Sequence, residues 1–183
     1  MASVLVPLAQ GCEELEAVTV VDLLRRAGIG VVTAGLDDQP VRASRGTVLV
    51  PDVTLDEAVK QQYDMIVLPG GLPGADHLND DPRIRSLLKE MAATDRYTAA
   101  ICAAPKVLAS TGLLEGRRAT SYPGSLGDFE GFSYSDDAVV QDGRIITSRG
   151  PGTAMDFALT LIENLAGKDK RDEVESGLQR PQH

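Results

Sequence analysis

An apolar run at residues 3–8 leads into a helix-patterned stretch from about Glu14, and a second apolar run at 29–36 follows at once. Within the helical stretch Leu15, Val18, Val21 and Leu24 recur every three residues, which lays one apolar stripe along a helix. Gly28 suits the position just past the helix end, where a left-handed conformation costs glycine little. A strand, a helix and a strand in that order predict a right-handed βαβ unit with its two strands parallel. The start of the chain thereby commits it to an α/β architecture.

The same alternation continues. Residues 47–50 read as a short strand at a sheet edge, 56–62 as a short helix, and Met65-Ile66-Val67-Leu68 as a buried parallel strand, because its apolar run is uninterrupted. Asp81-Pro82 supplies an N-cap followed by proline at the first helical position, and Ile84, Leu87, Leu88 and Met91 form the stripe of the helix it opens. A strand over 97–101 ends at Cys102, and a helix-like run follows from Ala103, with Pro105 in its first turn and Gly112 near its end. Val139-Val140-Gln141 and Arg144-Ile145-Ile146 flank Asp142-Gly143, a strong hairpin signal. Gly150-Pro151-Gly152 then breaks into a long helix over 153–166, stopped by Gly167, with a short helix at 169–178 and a frayed tail to His183. Strands alternating with helices predict a doubly wound, mostly parallel sheet with helices on both faces and one small β-hairpin. At 183 residues the default is a single domain, residues 1–183, with its core at about 3–167 and a C-terminal helix and tail at 168–183.

Charge and cysteine usage narrow the function. A net charge of -9, with Lys and Arg scattered, argues against a nucleic-acid surface. No apolar run approaches the ~20 residues of a membrane span, and no basic, apolar and cleavable leader precedes the first strand, so a cytoplasmic protein is expected. Two cysteines make no disulfide framework, and with only His77 and His183 a Cys/His zinc site has no support. Neither a metal nor a cofactor is expected.

Cys102 stands at a strand-to-helix corner, where α/β enzymes present a nucleophile. Unpaired amides at a helix start favour an anion, so an exposed thiol of lowered pKa is expected there; the competing reading is a small buried hydrophobe. Glu13, Glu14 and Glu16 follow the first strand, and Gly70-Gly71 follows the strand Met65-Ile66-Val67-Leu68. In a parallel sheet these segments share the carboxyl edge with Cys102, where open α/β sheets bind ligands. A thiol, a carboxylate and a glycine turn are thus expected to meet.

The residues Gly11-Cys12-Glu13-Glu14-Leu15-Glu16-Ala17, Leu24-Arg25-Arg26-Ala27-Gly28-Ile29, Ser44-Arg45-Gly46, Val67-Leu68-Pro69-Gly70-Gly71, Ala99-Ala100-Ile101-Cys102-Ala103-Ala104-Pro105 and Thr147-Ser148-Arg149-Gly150-Pro151-Gly152-Thr153 carry a resemblance. In that order they resemble the ThiJ/PfpI superfamily, in its branch of deglycases and YajL-like proteins. The resemblance implies a flavodoxin-like homodimer in which Cys102 is the oxidisable nucleophile and a protonated Glu16 hydrogen-bonds its sulfur. It further implies backbone donors at Gly70, Gly71 and Ala103 for an oxyanion or an oxidised sulfur, with Arg45 and Arg149 near the site and the dimer contact.

Three positions differ from residues found in relatives. Tyr122 stands where the deglycase branch commonly has a histidine facing the cysteine, and a phenol with a pKa near ~10 is a poor base at neutral pH. Ala103 stands where protease-type members place their histidine, which disfavours peptide hydrolysis. Cys12 occupies a site where relatives have a small residue. It is either a resolving thiol for oxidised Cys102 or a space-filling residue, the second reading being favoured. The implied activity is cofactor-free conversion of methylglyoxal to lactate, or removal of its adducts from proteins, with reactive carbonyls or glycated proteins as partners. The alternative is a non-catalytic redox sensor or chaperone acting through a Cys102 sulfinate.

Overall fold

The computed structural model describes residues 1–181; the last two positions of the expected frayed tail lie outside the described residues. A seven-stranded sheet forms its centre. The strands are β1 (Ser3–Leu8), β2 (Gly30–Gly35), β5 (Val53–Thr54), β6 (Met65–Leu68), β7 (Tyr97–Ile101), β10 (Val139–Asp142) and β11 (Ile145–Ser148), in the spatial order β10-β11-β7-β6-β1-β2-β5. All pairings are parallel except β10 with β11.

Alternation along each strand decides which core a side chain enters. Val4, Val6, Met65, Val67, Ala99 and Ile101 face one layer, where they meet α1 (Glu14–Arg26), α6 (Ala154–Ala166) and α7 (Lys168–Gly177). Leu5, Ile66, Leu68 and Ala100 face the other, against α2 (Leu55–Ala58), α3 (Gly74–Asp80), α4 (Pro82–Ala93) and α5 (Pro105–Ser110). The doubly wound α/β fold expected from the sequence is therefore present. Among the described residues no helix is long and apolar enough to cross a membrane.

Several boundaries differ from the sequence reading, each for a local reason. The strand at 47–50 is not a sheet edge. Instead β4 (Val48–Leu49) pairs antiparallel with β3 (Val41–Arg42) in a separate ribbon, and the two-residue β5 forms the edge beside β2. The helix expected over 56–62 stops at Ala58, whose carbonyl accepts the Tyr63 hydroxyl at 3.2 Å. α3 and the pairing of β8 (Arg118–Ala119) with β9 (Ser133–Tyr134) were not expected, since neither has a periodic apolar pattern long enough to read. The 153–166 helix begins at Ala154, after one 3-10 turn over Pro151–Thr153. The Asp142-Gly143 hairpin forms as expected, with Gly143 at φ +61°.

From β1 the chain winds outward to β2 and β5, then returns on the other side of β1 to form β6. The carboxyl ends of β1 and β6 therefore diverge into a crevice, the usual ligand position in such sheets. Glu13 to Glu16, Gly70 and Cys102 all lie at that edge.

Candidate active site

Cys102 follows β7 directly and adopts φ +64°, a left-handed conformation that a non-glycine residue pays for. Its surroundings hold it there: the Cys102 N–H donates to the Ser148 carbonyl at 2.9 Å, and its own carbonyl accepts the Tyr122 N–H at 2.8 Å. The corner is sharper than the sequence suggested. Regular helix begins only at Pro105, and Ala104 closes a turn by donating to Ile101 at 3.0 Å. Such a kinked backbone turns the side chain back toward the crevice.

Glu16 enters from the first turn of α1 and is 0 % exposed. Its Oε2 accepts the Gly70 N–H at 2.8 Å, whereas Oε1 is buried without a hydrogen-bond partner among the described residues. A Cβ built on Gly70 would stand 2.5 Å from Cys102 Cβ, 2.7 Å from Glu16 Oε2 and 2.8 Å from the Ile101 carbonyl oxygen. Only glycine fits between the thiol-bearing and the carboxyl-bearing residue. Gly71, at φ +86°, is equally confined, since its Cβ would meet Glu13 N at 2.4 Å. The two glycines bring the β6 turn against both partners.

Electrostatics contradict one expectation. Cys102 is only 9 % exposed, and burial together with the adjacent Glu16 carboxylate pushes its thiol pKa up to about 12 rather than down. The Gly71 and Ala103 N–H groups beside the sulfur oppose that rise without reversing it. Glu16 is itself pushed up to about 7, mainly by burial and further by Glu13, against the Gly70 N–H and Cys102. The Glu16 carboxylate thus disfavours the thiolate, whereas the thiol favours the carboxylate. At neutral pH the carboxyl is therefore close to half ionised while the thiol keeps its proton.

The remaining candidates fall into place around this pair. Gly71 and Ala103 face the sulfur, but the Gly70 N–H is committed to Glu16 and is not free for an oxyanion. Tyr122 touches the site through its backbone, while its ring is 52 % exposed and lies over Gly150. Arg149 turns its guanidinium to the Asp136 carbonyl at 3.2 Å and does not hydrogen-bond the pair. Arg45 is exposed and contributes its backbone N–H to Glu14 at 3.0 Å. Cys12 is a free, fully buried thiol pushed up to about 12 by burial and the Glu14 and Glu13 carboxylates, so it is a poor attacking group. His77 is exposed on α3. Among the described residues no three His, Cys, Asp or Glu side chains gather to hold a metal.

Two supporting residues escaped the sequence reading. Ser44 donates to Glu13 at 3.0 Å and to Glu14 at 3.1 Å, tying the β3–β4 loop to the start of α1, and Ser148 anchors the Cys102 amide through its carbonyl. Both lie in Ser-Arg-Gly triplets, where the arginines drew the attention.

The family model described as the DJ-1/PfpI family matches residues 2–164. The chain belongs to the DJ-1/PfpI family. It is 46% identical over 179 residues to protein dj-1beta of Drosophila melanogaster, covering 96% of each chain. The crystal structure of Drosophila melanogaster DJ-1beta superposes with a TM-score of 0.95 at 44% identity, covering 99% of both chains. The glutathione-independent glyoxalase DJR-1.2 of Caenorhabditis elegans is 38% identical over 174 residues, 94% of this chain and 92% of its own.

Proposed function

We propose that this DJ-1/PfpI protein is a cofactor-free glyoxalase, active on small α-oxoaldehydes such as methylglyoxal and on their early adducts with proteins. The observation that carries the reading is the buried Glu16–Cys102 pair at the Gly70 turn, with a carboxyl pKa near neutrality. The 38%-identical relative named as a glyoxalase supports it. A thiol pushed up to about 12 needs a base, and a carboxylate with pKa about 7 beside it meets that need at physiological pH.

In the first step Glu16 takes the thiol proton as sulfur attacks the aldehyde carbon of methylglyoxal. The resulting alkoxide forms beside the Gly71 and Ala103 N–H groups and is protonated to a hemithioacetal. Glu16, again ionised, removes the proton from the former aldehyde carbon and returns one to the neighbouring carbon, leaving a lactoyl thioester on Cys102. Water hydrolyses the thioester to lactate and restores the thiol. The sequence is an internal redox rearrangement plus one water, so no external oxidant or reductant is required.

A redox role is the second reading. A Cys102 sulfinate would be held by the Gly71 and Ala103 N–H groups and by a protonated Glu16, and the phenol at Tyr122 supplies no histidine base for turnover. We further propose a homodimer through α1 and the β3–β4 ribbon. Exposed Val18 and Val50 line a groove of about 590 Å³ there with Leu49, Arg25 and Asp52, and Leu15 and Val48 are exposed on the same two elements. The deciding assay measures lactate formed from methylglyoxal without glutathione. Glyoxalase function predicts turnover that Cys102→Ala abolishes, and a rate no greater than that of free thiol in buffer leaves only the redox reading.

A further inference from the structure

The opposite end of β7 carries a second cavity, of about 700 Å³, at the amino edge of the sheet. Tyr97 opens β7 and Cys102 follows its last residue, so at ~3.3 Å per residue the two sites are about 16 Å apart. Arg96, Arg117 and Arg144 line this cavity with Tyr97, Leu113 and Ile145. An adjoining hollow of about 460 Å³ shares Asp95, Arg96, Tyr97 and Arg144, so one furrow runs around the Tyr97 ring. Its size lies within the range of small-molecule pockets.

Three arginines line the cavity in a chain whose net charge is -9. Two carboxylates, Asp95 and Glu115, share the lining. Arg144 pairs with Asp95 at 3.1 Å and Arg117 with Asp142 at 3.0 Å, but both arginines are nearly half-exposed, so these pairs hold them weakly. Arg96 has no acidic partner among the described residues and donates only to the Tyr63 carbonyl at 3.2 Å and to Gln62 at 3.0 Å. The Arg144 guanidinium lies 4.5 Å from the centroid of the Tyr97 ring, which makes a flat, electron-poor platform beside the apolar Leu113 and Ile145. Forked guanidinium donors match the oxygens of a phosphate, and a flat ring matches the platform.

We infer that this furrow binds a small organic phosphate with a flat ring, of the size of a nucleoside monophosphate. Arg96 and Arg117 hold the phosphate, and Arg144, stacked on Tyr97, holds the ring. The site stands apart from Cys102 and owes nothing to the glyoxalase reading.

The test is titration of the full chain with adenosine 5′-monophosphate, followed by the backbone amide signals in two-dimensional NMR. The expected result is saturable shifts confined to Arg96, Tyr97, Gly143 and Ile145, unchanged in Cys102→Ala. Arg96→Gln and Arg144→Leu should each weaken binding about tenfold or more, and adenosine or inorganic phosphate alone should bind at least about tenfold more weakly. If Arg96→Gln fails to fold by circular dichroism, Arg144→Leu and Arg117→Gln carry the comparison. Shifts scattered elsewhere, affinity unchanged in the folded variants, or equal affinity for adenosine or inorganic phosphate would overturn the assignment.

Discussion

The amide of Gly70 donates to Oε2 of Glu16 at 2.8 Å, fixing one carboxyl oxygen and leaving Oε1, which has no hydrogen-bond partner among the described residues, to carry the proton when Glu16 is neutral. The residue that orients the acid is also the residue whose missing side chain lets Cys102 approach it. A single methyl group added there should therefore disturb both.

Gly70→Ala is expected to destabilise the fold by about 1–3 kcal/mol through overpacking and to remove activity, because its Cβ meets Cys102, Glu16 and the Ile101 carbonyl at 2.5–2.8 Å. Gly152→Ala is the control, since a Cβ there meets nothing within 4 Å. Thermal unfolding and methylglyoxal turnover of the two variants provide the comparison.

Glu16→Gln should change how stability depends on pH. Folding raises the Glu16 pKa from 4.5 to about 7, so the native state binds the proton more tightly. The associated stability is complete below pH 4.5, falls as pH rises between the two values and is gone above 7. The amount at stake is on the order of 3 kcal/mol. Urea midpoints of the wild type should decline across that window, and those of Glu16→Gln should not.

Glu14 titrates in the opposite sense. Backbone hydrogen bonds from its own amide, Arg45 and Thr47, with the Ser44 hydroxyl, hold its carboxyl below the usual range against a desolvation penalty. The stability it lends is present above its unfolded pKa and is lost as pH falls through the folded one. Amide exchange at Arg45 and Thr47, normalised for intrinsic rate, should accelerate on acidification before the central strands open, and Glu14→Gln should remove that dependence.

Tyr122→Phe should leave turnover within about twofold of wild type. The backbone N–H of Tyr122, not its ring, holds the Cys102 carbonyl, and a phenol is a poor base at neutral pH. A loss of tenfold or more in kcat would give the hydroxyl a place in the reaction.

Long periodic segments were legible from the residues alone. α1, β6, α4 and the β10–β11 hairpin each have an apolar pattern, a cap or a turn dipeptide that local physics determines. The two-residue strands β3, β8 and β9 were not, and β4 was legible as a strand but not in its partner, because so short a ladder is set by what the rest of the fold brings alongside. At the site, the edge shared by Glu16, Gly70 and Cys102 followed from strand order. The direction of the Cys102 shift did not, because a helix-start argument weighs nearby amides and omits burial and the facing carboxylate, which outweigh them.

The central claim is that the Glu16 carboxylate accepts the Cys102 proton, and the pH dependence of kcat/KM for methylglyoxal tests it most directly. The account predicts a rate rising with pH to a plateau, with an inflection near 7 in the wild type, and activity that is sharply lowered and lacks that inflection in Glu16→Gln. An inflection that persists unchanged in Glu16→Gln, or a wild-type profile flat from pH 5 to 9, would contradict it.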